Sequence, residues 1–470
     1  MRALTAQPRP SAPATIRDSA LAPPIMTASR PTHDRFRLMA ALMLASFFAF
    51  ADRNIFFLLM PAIEKALSIS DTRLSLLAGA AFAVFYSVMA IPFGWAADRV
   101  NRRNLIVAGV FCWSVATVLC GLARTYDELF LARISVGVGE ATLIPTAISM
   151  IGDSFPFESR GRVIGLFTAS IMLGSGLAQV VGGYVLRLLH GAGTVHVPVF
   201  GHLQVWQAAF VAVGLPGFLV ALFLLSVSEP RRAKLPTSAA SSDTPTTPSN
   251  LTGHVRAHKN AYALTLAAYT TFSFVSFAIV PWSPTLFVRN YGLTAADAGM
   301  LLGVATLLGG VPGTVTGGML GDYWGRAGRV GARFRLTIFW SLTVIPATIG
   351  ITMFGVRMAA FSWFVMFFIQ SMCYASGTAV MQDMTPPRFR GRAVSVWYLV
   401  TGVGGYSLGP TATALVTDSV FHRPLMLPYS ILVVTVFGAA LTLPLAWYGL
   451  RPFQRARDAV KLGESTLSRT

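Results

Sequence analysis

The chain of 470 residues is 54% hydrophobic and only 12% charged, about half the charged share of a typical soluble protein. A soluble domain of this length could not bury so much apolar surface, which excludes an ordinary soluble enzyme or binding domain. The 37 Lys and Arg against 19 Asp and Glu would suggest nucleic-acid binding on a soluble chain. Here the cations cluster at the ends of apolar runs, where membrane topology needs them, so we expect a membrane protein that binds no nucleic acid.

Apolar runs of about 20 residues recur along the chain, each long enough to cross a bilayer core as an α-helix. Residues 1–36 lack the apolar core of a signal peptide and are predicted to be a disordered tail. Residues 228–258 are rich in Ser, Thr and Pro and predict a flexible linker, which separates bundles at 37–227 and 259–450 from a tail at 451–470. The twelve predicted helices are 37–60, 73–97, 104–123, 127–151, 161–187, 204–227, 259–288, 297–321, 333–354, 357–382, 391–417 and 424–450.

Positive charge is unevenly distributed between the two sides of these helices. Seventeen Lys and Arg lie in or beside the five connections on the side of the termini, and seven lie in or beside the six opposite connections. Cytoplasmic loops carry the excess of cations in membrane proteins, so both termini are expected in the cytoplasm. We expect a multi-pass protein of a bacterial plasma (inner) membrane, with the lipid bilayer as its surroundings and a monomer as its working form.

The two bundles carry the same loop motifs, which indicates an internal repeat. A Gly, an Asp four residues later and an Arg after four more recur 224 positions on, and an Arg-Gly-Arg tripeptide recurs 230 positions on. We therefore predict an all-α integral membrane protein of two pseudo-symmetric six-helix bundles, with the substrate site between them near the bilayer midplane. The repeated residues are Gly94, Asp98 and Arg102; Gly318, Asp322 and Arg326; Arg160 and Arg162; Arg390 and Arg392.

The loop after predicted helix two carries the most specific of these motifs, formed by Gly94, Asp98, Arg99, Arg102 and Arg103. It resembles the loop between helices two and three of the major facilitator superfamily, and the resemblance covers residues 37–450. The resemblance implies the twelve-helix major facilitator fold, transport by alternating access, and a conformational latch on the cytoplasmic side in both halves. The alternative is that these cations only set the membrane topology.

Two further helices resemble superfamily motifs. Predicted helix four contains Arg133, Gly137 and Gly139 in the spacing of an Arg-containing motif, for which we expect a helix-packing role. Predicted helix five carries the glycine framework known as the antiporter motif, but Ala178-Gln179 replaces the Gly-Pro pair at its centre. Ordinary packing of small residues explains that framework equally well.

Charged residues inside apolar helices are costly and face a cavity or a partner, so they mark function by default. Asp52 and Arg53 lie within predicted helix one among several phenylalanines, and Glu140 lies at similar depth in helix four. A carboxylate withdrawn from water can take a proton near neutral pH, whereas Arg stays cationic. We predict Asp52 and Glu140 as proton-coupling carboxylates and Arg53 as their partner and anion anchor. A permanent structural ion pair is the alternative.

Predicted helices of the second half carry no comparable charge at mid-depth and offer aromatic and amide side chains instead. We expect these to complete the substrate site with Arg53 and to supply shape and aromatic surface. The residues are Tyr269, Gln370, Tyr374, Trp397 and Tyr406.

Three patches resemble the spinster branch of the superfamily: Ala51-Asp52-Arg53-Asn54, Gly137 to Glu140 followed by Ile151-Gly152-Asp153, and Trp206-Gln207 with Gly214 to Gly217. The resemblance implies a proton-linked carrier of amphiphilic lipids such as lysolipids or sphingoid phosphates. A transporter of small soluble organic anions, such as aromatic or sugar acids, is the main alternative, and a non-transporting membrane sensor is a remote one. The sequence has no nucleophile motif, phosphate loop or metal-ligand cluster, so we expect neither an enzyme nor a cofactor.

Two other features invite weaker interpretations. His190, His196 and His202 share a sixfold spacing, but their loop favours a small hairpin or an irregular turn, so we expect no metal. Pro281 and Pro284 flank Trp282 near the outer end of predicted helix seven. They are expected either to break that helix and help to gate the cavity or to mark a membrane-interface Trp.

Overall fold

The computed structural model describes residues 32–155, 157–189, 191–230, 251–326 and 331–467. Most of the predicted N-terminal tail, most of the linker and His190 lie outside the described residues. The first six spans form the N-terminal half, whose helices are α1 (Thr32–Leu67), α2 (Asp71–Ala78), α3 (Ala80–Ala97), α4 (Arg102–Leu122), α5 (Tyr126–Glu140), α6 (Leu143–Ser154), α7 (Phe157–Leu188) and α8 (Val205–Leu225).

The second half repeats this arrangement after a short helix of the linker. Its helices are α9 (Leu251–Ala257), α10 (Lys259–Ile279), α11 (Ser283–Tyr291), α12 (Ala295–Arg326), α13 (Ala332–Met353), α14 (Val356–Asp383), α15 (Arg390–Thr401), α16 (Leu408–Leu415) and α17 (Leu427–Leu467). The helix ends follow sequence rules: Thr125 and Glu128 form a capping box that starts α5, and Gly292 ends α11 in the left-handed conformation at φ 67°.

Within the described residues, eleven helices or helix pairs are long and apolar enough to cross a membrane. The remaining span is the eleventh in chain order, predicted at 391–417, and consists of α15 and α16 with π-helical segments at Gly402–Ser407 and Val416–Phe421. These segments interrupt the α-helix, which is why this span does not appear as one continuous helix. The chain thus has the major facilitator fold of two six-helix halves.

Three predictions about the domain organisation differ from the structure. Helix α1 begins at Thr32, before the predicted start at 37, and has Asp34 in its first turn, where a carboxylate favours a helix N-terminus. The predicted linker contains the helix α9. The predicted C-terminal tail continues α17 to Leu467, because Phe453, Ala456 and Val460 recur at helical spacing and are buried.

Between α7 and α8, the predicted hairpin is present as β1 (Thr194–Val197) and β2 (Gly201–Gln204), which pair antiparallel. His196 and His202 lie directly opposite each other on its exposed face. Of the described residues, no group of three or more His, Cys, Asp and Glu is arranged to hold a metal ion.

The two halves meet closely on the side of the membrane opposite the chain ends, here called the outer side. Helix α7 of the first half packs on α12 of the second through glycines. A Cβ built on Gly183 would lie 2.6 Å from the carbonyl oxygen of Ala296, and one on Gly303 would lie 2.7 Å from that of Gly176. Larger residues at these positions would force the helices apart, so glycine sets the distance between the halves here.

Candidate functional site: two buried ion pairs between the helix bundles

The two buried charges of α1 and α5 that the sequence analysis linked are in direct contact. The Arg53 guanidinium donates to Glu140 Oε2 through Nε at 2.7 Å and through Nη2 at 2.5 Å. Arg53 is 7% exposed and Glu140 is 1% exposed. An ion pair removed from water to this degree is held by its own hydrogen bonds, and removing either partner leaves an uncompensated charge.

A second ion pair lies beside the first. Arg133 Nη1 is 3.4 Å from Asp52 Oδ2, and both side chains are almost fully buried. The sequence predicts a helix-packing role for Arg133 and pairs Asp52 only with Arg53. The structure instead pairs each carboxylate with a different arginine, since α1 and α5 each carry one acid and one base facing the other helix. The site therefore contains two positive and two negative charges.

Aromatic rings surround the Arg53 guanidinium. Its Cζ lies 4.4 Å from the ring centroid of Phe50, 4.4 Å from that of Phe82 and 4.7 Å from that of Tyr86. Rings at this distance stabilise a cation through their electron-rich faces. Arg53 can thus remain charged in an apolar setting when its carboxylate partner is neutralised.

Several polar atoms of the site lack hydrogen-bond partners among the residues that the structure describes. They are Asp52 Oδ1, Glu140 Oε1, and Nε and Nη2 of Arg133. A buried polar atom without a partner is unfavourable unless water, a proton or a ligand satisfies it. Each carboxylate thus has one oxygen engaged by arginine and one available for a proton.

An amide pair extends the site to α7. Gln179 Nε2 donates to Asn54 Oδ1 at 3.0 Å, and Asn54 Nδ2 donates to the carbonyl of Phe50. Gln179 occupies the centre of the antiporter-like framework, where the superfamily pattern has proline. Here the position supplies a hydrogen bond to the residue beside Arg53, a role that the glycine spacing alone did not indicate.

The polar and aromatic residues expected from the second half take different positions. Tyr406 packs 5.7 Å from the Phe82 ring and so reaches the N-terminal site directly. Tyr374 is 40% exposed and is close enough to Arg53 and Tyr86 to interact electrostatically. Tyr269 is instead packed between Trp397 and neighbouring rings and is 1% exposed.

Three of these five residues have a buried polar atom without a hydrogen-bond partner within the described part of the chain. The atoms are Nε1 of Trp397, Oε1 of Gln370 and the hydroxyl of Tyr406. These residues therefore offer hydrogen-bonding groups that the described protein atoms leave unused.

The family follows from comparison with known proteins. The protein-family model described as Major Facilitator Superfamily matches residues 42–329, which is more than half of the chain. The chain belongs to the Major Facilitator Superfamily. It is accordingly a membrane transporter rather than an enzyme.

The proteins that resemble this chain in sequence carry several different names. An MFS-type efflux pump of Mycolicibacterium smegmatis is 26% identical over 385 residues, which cover 81% of this chain and 84% of the relative. Protein spinster homolog 1 of Xenopus laevis is 31% identical over 273 residues, covering 55% of this chain and only 49% of the relative. The chain thus matches about half the length of that relative. A Bacillus subtilis hexuronate transporter is 22% identical over 400 residues, 82% of this chain and 88% of the relative.

Solved structures agree on the fold. A bacterial homolog of the human lysosomal transporter Spinster, in an inward-facing and unoccupied conformation, has a TM-score of 0.71 and 24% identity. The match covers 92% of this chain and 98% of that one. This match shows that the two chains share their fold.

The superfamily loop motif centres on Arg102, which is 2% exposed. Its guanidinium donates to Asp153 at 2.5 Å, to Glu229 at 2.9 Å, and also to Ser149 and the Pro230 carbonyl. This one side chain joins α4, α6 and the segment that follows α8. The backbone N–H of Arg103 also donates to Glu229. The sequence motif identified Arg102 but not its acidic partners, which lie 51 and 127 positions away.

Other residues of the predicted latches lie apart from this centre. Arg99 covers the exposed Trp95 ring at 3.6 Å, and Arg390 donates to the carbonyls of Gln382 and Thr385. No described atom lies within 4 Å of a Cβ built on Gly94 or Gly318, so neither glycine brings two helices close together here. Gly137 and Gly139 do pack closely, against Phe82 and Trp113. The side chains of Arg160, Asp322 and Arg326 lie outside the described part; Arg162 and Arg392 are exposed.

A charge cluster that the sequence analysis missed joins the halves on the outer side. Arg289 of α11 donates to both carboxylate oxygens of Asp71, at 2.8 and 2.6 Å, and also pairs with Glu64. Asp418 accepts from the backbone N–H and the hydroxyl of Thr72, both at 2.7 Å. Because these residues flank the predicted helices, they resembled ordinary loop charges in the sequence.

Trp282 is not a membrane-interface residue. It is fully buried at the break between α10 and α11, where its Nε1 donates to the Pro410 carbonyl at 3.0 Å. The prolines around it thus do break the seventh span, and the indole bonds this break to the eleventh span.

Proposed function

We propose that the protein is a proton-coupled secondary active transporter that moves an amphiphilic, anionic substrate by alternating access. The observation that carries the proposal is the buried contact between Arg53 and a single oxygen of Glu140. Asp52 and Glu140 act as the protonation switch, and Arg53 acts as their partner and as the anchor for the anionic group.

Charge balance gives the mechanism. Two carboxylates and two guanidinium groups make the closed site neutral overall. A proton on Glu140 neutralises its carboxylate and leaves Arg53 with an unmatched positive charge inside an aromatic cage. An anionic group of the substrate then restores neutrality, so protonation and substrate binding favour each other. Arg stays cationic throughout, which makes the carboxylate the group that titrates.

Two features support an amphiphilic substrate. The rings around Arg53 and the residues Tyr374 and Tyr406 supply an apolar aromatic surface beside the single released cation. The Asp52-Arg53 and Glu140 patches also resemble the spinster branch, and a protein named spinster homolog 1 is among the relatives. A lysolipid or sphingoid phosphate combines a phosphate for Arg53 with a chain for the aromatic surface.

The alternative substrate is a small soluble organic anion. Its support is the hexuronate transporter of Bacillus subtilis, which aligns over 82% of this chain, against 55% for the Xenopus laevis spinster homolog. A sugar acid would use the same guanidinium through its carboxylate, and the unused polar atoms of Gln370 and Trp397 would meet its hydroxyl groups.

The remaining functional assignments follow from the membrane setting. We place both termini in the cytoplasm of a bacterial cell, since cations predominate in the connections on that side. In this orientation the Arg102 cluster lies at the cytoplasmic face, where it forms part of the latch, and the Arg289 cluster closes the outer face.

Uptake into proteoliposomes under an imposed pH gradient tests the proposal. Lysolipids, sphingoid phosphates, aromatic acids and sugar acids are offered in parallel to the wild type, to Asp52→Asn and to Glu140→Gln. We expect gradient-driven transport of the lipids by the wild type and loss of the pH dependence in both variants. Transport of the soluble acids alone would replace the lipid substrate by the alternative. Full pH-dependent transport by both variants would overturn the coupling mechanism.

A further inference from the structure

Phe82 of α3 is shared by the two ion pairs. Its ring centroid lies 4.4 Å from Cζ of Arg53 and 5.3 Å from Cζ of Arg133. The residue is 1% exposed. A single apolar ring thus contacts the cation of each pair, within the distance at which cation–π attraction is appreciable.

The position of this ring is fixed by the helix that carries Arg133 and Glu140. A Cβ built on Gly137 of α5 would lie 2.6 Å from the carbonyl oxygen of Phe82. Helix α5 therefore rests directly on the backbone of α3 at this residue. A shift of the charged side chains of α5 cannot leave Phe82 undisturbed, because close-packed interiors transmit displacement.

Phe82 also touches the other half of the protein. Its ring lies 5.7 Å from that of Tyr406, which belongs to the π-helical segment Gly402–Ser407. One turn earlier in the chain, a Cβ on Gly79 would lie 3.0 Å from the carbonyl oxygens of Tyr406 and Ser407. The α3 region and this segment are thus in contact along the boundary between the halves, and π-helical segments are frequent at functional sites.

The Tyr406 side chain can respond to movement of Phe82. Its hydroxyl is buried without a hydrogen-bond partner among the described residues, and its ring packs 4.1 Å from Phe277 of α10. Among the described residues, no hydrogen bond therefore fixes the ring, which packs on these two aromatic neighbours. A displacement of Phe82 changes one of those two contacts.

We infer that Phe82 is a positioning residue that transmits the protonation state of the two ion pairs to the second half through Tyr406. This inference rests on the proposed proton coupling and adds the route by which it reaches the boundary between the halves. When one carboxylate is neutralised, its arginine loses the charge–charge attraction to that carboxylate, and the attraction to the shared ring carries more of its energy. Phe82 then moves with the arginine, and the contact between the rings of Phe82 and Tyr406 is lost or gained.

Other titratable groups face this region, and the experiment has to account for them. Tyr86 stacks on Phe82, Cys120 of α4 lies near Asp52 and Arg133, and Tyr374 and Tyr406 approach from the second half. These groups are neutral as tyrosine and thiol at physiological pH. The two carboxylates are therefore the groups whose charge the ring experiences.

The test measures the opening of the outer side of the full-length protein in nanodiscs by double electron–electron resonance. Spin labels are placed on the exposed residues Arg124 and Leu425, one in each half, with the exposed Cys112 replaced by Ser. Distances are recorded at acidic and alkaline pH for wild type, Phe82→Leu, Tyr406→Leu and the double variant. Phe56→Leu is the matched control: Phe56 is buried and lies 4.4 Å from Arg133, but its ring contacts are Phe57 and Phe210 of the same half.

We expect the open-to-closed ratio of the wild type to change with pH. Phe82→Leu and Tyr406→Leu should each reduce that change roughly five-fold, which corresponds to about 1 kcal/mol of coupling. The double variant should show the same reduction as each single variant. Phe56→Leu should respond as the wild type does. Tyr406→Leu reports on the same route from the other half if Phe82→Leu does not fold.

Three results would overturn the inference. A wild-type response in Phe82→Leu, or in Tyr406→Leu where the former does not fold, shows that the route is not used. Equal losses in Phe82→Leu and Phe56→Leu show that the ring only fills space. A wild type that ignores pH removes the proposed proton coupling itself and with it the inference, whereas the first two results leave the coupling intact.

Discussion

The Arg53 guanidinium donates two hydrogen bonds to one oxygen of Glu140, Oε2, while the other oxygen, Oε1, has no partner among the described residues. This asymmetry separates two tasks within one carboxylate. Oε2 holds the cation in place, and Oε1 is the atom to which a proton can be added. Both ends of the proposed switch are thus present in a single buried pair.

Replacement of Arg53 by Lys should weaken anion binding roughly ten- to a hundred-fold. A lysine keeps the charge but cannot present two donors in a planar fork, and it loses the stacking on Phe50 and Phe82. Isothermal titration with the transported anion at acidic pH measures the effect. Arg73→Lys, which alters an exposed arginine above Tyr126, is the control and should bind normally; equal affinities for both variants would exclude Arg53 as the anchor.

Removal of the Arg289 charge should open the outer side. In Arg289→Gln, Asp71 is left buried without its cation, a situation that costs about 3–5 kcal/mol and is relieved when water enters. Spin labels at Arg124 and Leu425 should then show a longer distance in a larger share of molecules. Arg423→Gln changes an exposed outer arginine instead and should leave the distances unchanged. An unaltered distribution in Arg289→Gln would mean that helix packing alone closes this side.

Loss of Arg102 should lower thermal stability. Its four acceptors join α4 to α6 and to the chain after α8, so Arg102→Ala should reduce the melting temperature by roughly 5 °C. The neighbouring Arg103→Ala should have a much smaller effect, because its guanidinium makes no ion pair among the described residues. It bonds to the adjacent Asn104 and, at 3.4 Å, to the carbonyls of Leu225 and Val227. Fluorescence-monitored melting in detergent compares the two; a similar decrease for both would show that general positive charge, not the cluster, is stabilising.

The sequence predicted the membrane spans well because the bilayer requires long apolar helices whatever the tertiary contacts. It failed where tertiary contacts decide: in the π-helical segment Gly402–Ser407 of the eleventh span, Gly404 and Gly405 pack closely on α10, which hydropathy alone does not indicate. The extension of α17 also depends on the burial of Phe453. The hydropathy of the sequence does not reveal this burial, because the apolar run ends in arginines.

The candidate site was predictable in part for a similar reason. Charges within apolar runs are conspicuous, so Asp52, Arg53 and Glu140 were identified together, and the structure brings Arg53 and Glu140 into contact. Which acid meets which base depends on how α1 and α5 face each other, and this made Arg133 appear to be a packing residue. Phe82 has no distinguishing feature in the sequence, since its role arises only from two cations and a tyrosine meeting at one ring.

The measurement that tests the central claim most directly is the affinity for the transported anion as a function of pH in wild type and Glu140→Gln. Binding by the wild type should tighten as pH falls, up to about ten-fold per pH unit, with uptake of a proton detected by an indicator dye. The Gln variant mimics the protonated carboxylate and leaves Arg53 free, so it should bind at the tight limit at every pH without proton uptake. If the variant keeps the wild-type slope and proton uptake while remaining folded and monodisperse, Glu140 is not the switch.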